Sequence, residues 1–128
     1  MDEHYAVVRS RFSYKETLGR LLTAINAAGN SLFALVEQAD AARSVGLDLR
    51  PTALIVFGNP KGGTPLMAAH PLFALELPLK LLLWEDGDTV QVAHTRMRET
   101  ARRYGIDPAD PRIASMDKAL ETLAATVV

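Results

Sequence analysis

The chain reads as an α+β domain with a mostly antiparallel sheet and helices packed on one face. Three observations predict this. Strand-like segments follow one another with only short helices or turns between them. Glu85-Asp86-Gly87-Asp88 is a tight hairpin turn with its glycine in place. The regular βαβ alternation that would build a parallel sheet is missing, and helical patterns gather towards the end instead.

Taken in order, His4–Ser10 is a short β-like run. Ser13 reads as a helix N-cap, and Glu16 three residues on completes a capping box. Tyr14, Leu18, Leu21, Leu22 and Ile25 follow at helical spacing, and Gly29 is a natural stop. Leu32–Glu37 reads as a second strand, and Asp40–Val45 as a short helix or turn closed by Gly46. Pro51 opens Thr52–Phe57, whose nearly unbroken apolar run is expected to form a buried central strand. Gly58–Thr64 is expected to be a loop. Pro65 at a first helical position would start a short helix to Ala69, ended by Pro71. Leu79–Glu85 and Thr89–His94 are the strands of the hairpin, with Lys80 the one charge inside the first. Thr95 is placed to cap a helix over Arg96–Tyr104, stopped by Gly105. Ile113, Met116, Leu120, Leu123 and Ala124 give a last amphipathic helix. No repeat, low-complexity tract or second-domain boundary interrupts residues 1–128, so a single domain is expected.

Composition narrows the function classes. Of 128 residues, 48% are apolar, enough for a core without staples. With 14 basic and 15 acidic residues the net charge is −1, which speaks against a nucleic-acid binder. The absence of cysteine removes disulfides, thiol catalysis and thiolate metal sites. The acidic start Met1-Asp2-Glu3-His4 does not read as a signal peptide. The most apolar stretch, Leu72–Trp84, is broken by Glu76, Pro78 and Lys80, so no membrane span is expected, and a cytoplasmic location is the default expectation.

The segment Phe57–Met67, FGNPKGGTPLM, carries the best functional signal. A strand runs into a glycine-rich stretch with one lysine and then into a helix start. Bare glycine backbone lets a ligand approach, a helix N-terminus favours negative charge, Lys61 adds a full charge and Thr64 a hydroxyl. The lysine precedes the glycine pair, so this is not a P-loop, and it is not GxGxxG. The alternative is structural: Asn59-Pro60 as a turn and Gly62-Gly63 as a tight helix entry. The candidate ligand-binding residues are Asn59, Lys61, Gly62, Gly63 and Thr64, with Glu37 and His94 as candidate companions and a small anion as the expected ligand.

At FGNPKGGTPLM, LPLKLLLWED and the upstream AARSVGLDLRPT, the sequence resembles the DUF302 family, also termed TT1751-like. The resemblance runs from about Tyr14 to about Tyr104. It implies a TATA-box-binding-protein-like α+β domain (strand, helix, four strands, helix) and a homodimer, and it implies no reaction. Two places depart from the family pattern. Glu37-Gln38 stands where members carry Asp followed by His or Gln, and His94-Thr95-Arg96-Met97 stands where members tend to have Tyr-Asn-Asp-Pro.

Other residues are weighed against plain structural roles. As a base or metal ligand His94 would need a partner such as Glu37; otherwise it is a partly buried histidine bonded to backbone. The three histidines share no ligand spacing, so no metal site is expected. Lys80 would either join Lys61 in a positive pocket or blunt an edge strand. Arg96, Arg98, Arg102 and Arg103 with Glu99 read as a solvated helix face. No serine sits in a nucleophile elbow. The sequence names no cofactor. Two readings result: a small-ligand-binding or interaction module forming a homodimer, or a small enzyme using Lys61, Thr64, Glu37 and His94 around the same pocket.

Overall fold

The structure is a computed structural model and describes residues 2–128. Its elements are β1 (Tyr5–Ser10), α1 (Tyr14–Ala27), β2 (Ser31–Glu37), α2 (Gln38–Arg43), β3 (Thr52–Gly58), α3 (Pro60–Ala69), a 3₁₀ turn (Pro71–Glu76), β4 (Leu79–Asp86), β5 (Thr89–Thr95), α4 (Met97–Arg102) and α5 (Pro111–Ala125). The five strands form one antiparallel sheet in the order β1-β5-β4-β3-β2. The expected α+β class and antiparallel pairing are therefore what the chain adopts.

Period-two alternation sorts the sheet into two unlike faces. Ala53, Ile55 and Phe57 of β3, Leu79, Leu81 and Leu83 of β4, and Val90 and Val92 of β5 are buried. They meet Leu21 and Ile25 of α1, Met97 and Ala101 of α4, and Ile113, Leu120 and Leu123 of α5 in one core. The other face holds a row that crosses all five strands in register: Val7, Ala93, Leu82, Leu54 and Val36. None of these five belongs to the core, and Val7 is 55% exposed. The Thr52–Phe57 run lies inside the sheet as expected, but β4 holds the middle place. Leu54 and Val56 are half-buried because their face lacks a second layer.

Ser13 caps α1 as read, its side chain accepting from the Glu16 N–H at 3.1 Å. Three local expectations change. α3 starts at Pro60 instead of Pro65, so most of the anticipated loop is helix. The reason is local: extended Asn59 caps the helix, its Oδ1 accepting from the Lys61 N–H at 3.0 Å, and Pro60 suits the first turn. Pro65 then falls inside the helix, and having no N–H it leaves the Lys61 carbonyl without its usual donor. Thr95 ends β5 and does not cap α4. Lys80 lies on the open face of the middle strand, opposite Val56, so it neither joins Lys61 nor guards an edge.

Candidate functional site

Where β3 runs into α3, a cleft of about 650 Å³ opens between α3 and α5. One wall is the segment singled out in the sequence: Gly58, Asn59, Pro60, Lys61, Gly62, Gly63 and Thr64, continuing to Met67. The facing wall is the first half of α5, with Arg112, Ser115, Met116 and Ala119. Phe33 of β2 and Leu77-Pro78 before β4 close the rest. The surface is mostly apolar, with polar atoms supplied by Asn30, Asn59, Lys61, Thr64, Arg112 and Ser115.

The glycine pair does not sit in a strained turn. The positive-φ glycines are Gly29, Gly46, Gly87 and Gly105, so Gly62 and Gly63 have ordinary helical backbone. A Cβ at Gly62 would meet nothing within 4 Å, and one at Gly63 would make ordinary contact with Leu77 and Met67. Two glycines inside a helix cost about 2 kcal/mol relative to alanines. The fold recovers nothing for that cost at Gly62. What it gains is bare backbone on the cleft wall.

The first-turn amides of α3 are largely engaged. Lys61 N–H donates to the Asn59 side chain, and Gly62 and Gly63 N–H donate to the Asn59 carbonyl at 2.9 and 3.1 Å. The backbone donors anticipated for a bound anion are thus already used. Lys61, exposed, has no carboxylate partner among the described residues. Arg112 is committed: its guanidinium binds both oxygens of Asp110, at 3.1 and 2.8 Å. That bond holds the Asp110 carboxyl well below its usual range, at about 2.

Glu37 and His94 do not line the cleft. They stand on β2 and β5 with β3 and β4 between them, about 14 Å apart across the sheet by strand spacing. His94 is 7% exposed, and its Nδ1 lies 2.9 Å from the Thr95 carbonyl, the backbone-bonded arrangement. Glu37 Oε1 is buried without a hydrogen-bond partner. Tyr14 lies beside it, and burial, reinforced by the charges of Glu37 and Asp40, pushes the Tyr14 phenol up to about 12. Among the described residues no His, Asp or Glu lines the cleft, so its hydroxyls have no adjacent imidazole or carboxylate base. The arginine cluster near α4 is spent on partners: Arg98 on Asp117, Arg102 on Glu99 and Arg103 on Glu76.

Sequence reasoning found the α3 wall and missed the α5 wall. Met67 stood in the quoted motif, but nothing local marks Phe33, Arg112, Ser115 or Met116 as its neighbours.

A crystallised protein from Bacillus stearothermophilus, described as an uncharacterized conserved protein DUF302, has the same fold. It superposes with a TM-score of 0.90 over 99% of this chain and 100% of that one, at 19% identity. Among curated proteins, "Fluoride-specific ion channel FluC 1" of Brucella suis biovar 1 (strain 1330) is 40% identical over 87 residues, covering 68% of this chain and 34% of that protein. The protein of the same name in Brucella abortus biovar 1 (strain 9-941) is also 40% identical over 87 residues, covering 32% of its length. The chain thus spans about a third of the curated relatives it matches, and no helix among its described residues is long and apolar enough to cross a membrane. The model of the family described as "Domain of unknown function DUF302" matches residues 6–123, and the chain belongs to that family.

Proposed function

We propose that this domain is a small-ligand-binding module whose site is the cleft between α3 and α5. The observation that carries the reading is the Gly62-Gly63 pair. Neither glycine is required by backbone conformation, yet both leave the main chain bare on the cleft wall, beside a lysine with no carboxylate partner among the described residues. Binding is favoured over catalysis because, among the described residues, no imidazole or carboxylate lines the cleft to act as a base. A thermal-shift screen of small anions and metabolites tests it, since a ligand that prefers the folded state raises apparent stability. A hit that is lost in Lys61→Ala at unchanged stability supports the site. A hit indifferent to Lys61→Ala, or no hit from a broad library, removes it.

The same module is proposed to work as a homodimer joined through the open sheet face. Among the described residues no layer covers the apolar row Val7, Ala93, Leu82, Leu54 and Val36, and sheets bury such faces against another layer. Lys80 and Asp86 lie on that face at opposite ends of β4. A two-fold axis in the interface, across the middle of β4, sets each Lys80 over the Asp86 of the second copy. Light scattering giving the monomer mass at all concentrations rejects the dimer.

The curated relatives favour a second reading, in which the domain serves an anion-transport system. A stretch 40% identical to this chain shares one polypeptide with as much again and more in proteins named as fluoride-specific ion channels. Titrating the chain with fluoride, and with vesicles bearing such a channel, tests this. Binding to neither would dismiss it.

A further inference from the structure

We propose that the cleft takes an amphiphilic monoanion, a molecule with an apolar chain or ring and one carboxylate-type head. This rests on the ligand-binding reading above and narrows its ligand. The charge count comes first. Among the described residues, Lys61 is the one cation lining the cleft without an anionic partner, because Arg112 is held by both oxygens of Asp110. A compact dianion such as phosphate must exchange its water for several donors. The α3 amides that would supply them already bond Asn59. One head charge matches Lys61, helped by the Thr64 hydroxyl one helical turn along.

The walls supply the rest of the affinity. Phe33, Met67, Leu77, Pro78 and Met116 present apolar surface to the space. Met67 of α3 and Met116 of α5 both line the space, and unbranched thioethers adapt to chains of varied shape. The volume of about 650 Å³ lies mid-range for cavities that enclose organic ligands. An inorganic ion would leave most of it filled with water against apolar walls. The absence of a side chain at Gly62 leaves open space on the α3 wall, where a Cβ would meet nothing within 4 Å.

The test is calorimetry of the full chain with acetate, hexanoate, octanoate, octanol and inorganic phosphate, joined by amide NMR. Each methylene placed against the walls strengthens binding by roughly fourfold. Octanoate is therefore expected to bind at least tenfold tighter than hexanoate and than phosphate. Lys61→Ala is expected to weaken octanoate about tenfold and leave octanol unchanged. Ala119→Leu, which narrows the cleft from a helix that accepts leucine, is expected to weaken both. In the wild type, octanoate should shift amides of Lys61–Thr64 and Ser115–Ala119, a readout that holds even if a variant fails to fold. Phosphate binding as tightly as octanoate, or carboxylate affinity that ignores chain length, overturns the amphiphile and leaves the ligand-binding reading standing. Octanoate shifts confined to residues outside the cleft overturn both, and so does silence from every probe.

Discussion

The carboxylate of Asp117, in the middle of α5, accepts hydrogen bonds from the main-chain N–H groups of Met97 at 2.6 Å and Arg98 at 3.1 Å. Those are first-turn donors of α4, whose own N-cap residue, Arg96, offers no side-chain bond. One helix thus caps another, and Asp117 is buried as a result. Asp117→Ala leaves these donors unmet inside the protein. It should lower stability by about 2–3 kcal/mol, the range for a charged hydrogen bond lost from a buried site. Asp117→Asn, which keeps one acceptor, should cost less. Urea midpoints at constant slope check both.

Gly62→Ala should do two opposed things. Its Cβ enters open space on a helical residue, so stability should rise by about 0.5–1 kcal/mol. The same methyl projects from a residue that lines the cleft and should weaken ligand binding. Gly19→Ala, also in open space but on α1 away from the cleft, should stabilise without touching binding. If both variants behave alike in binding, Gly62 has no role in the site.

Tyr14 sets an alkaline limit. Its phenol is raised to about 12 by burial and by Glu37, so the folded protein holds that proton more tightly than the unfolded chain does. The associated stability is complete below about pH 10 and is lost as pH rises towards 12. Tyr14→Phe removes the titrating group. Its denaturation midpoint should fall less between pH 10 and 12 than that of the wild type, and equal slopes would refute the assignment.

On the open sheet face, Leu82→Lys should leave the monomer fold intact, because Leu82 lies outside the core. It should halve the mass seen by light scattering if that face joins two copies. A dimer that survives the change points to another interface.

What the sequence made legible was local. The Ser13 cap, the Gly87 turn and the strand runs of β3 to β5 depend on residues a few positions apart, and each stands where it was read. The start of α3 was hidden because two glycines and Pro65 all argue against a helix by propensity, while one Asn59 cap and the packing of buried Leu66 outweigh them. The Asp117 cap was hidden because it crosses 20 positions of sequence. The separation of Glu37 from His94 was hidden for the same reason, since strand order, not spacing, sets it. Half of the cleft was visible as FGNPKGGTPLM. The other half, on α5, became a neighbour only through the tertiary fold.

The outer strand β1 pairs with β5, joining Tyr5 to Thr95 and Ser10 to Val90. The other four strands, β2 to β5, pair consecutively along the chain and are close in sequence. Of the strands in this sheet, the first to be synthesised is therefore the last to gain its partner. It must wait as an open segment for a partner made some ninety residues later, and closing so long a loop costs chain entropy before any contact repays it. The order of assembly runs against the order of synthesis. A nascent chain halted before Thr89 would expose both Val7 and the unpaired edge of β4, the form most prone to aggregate.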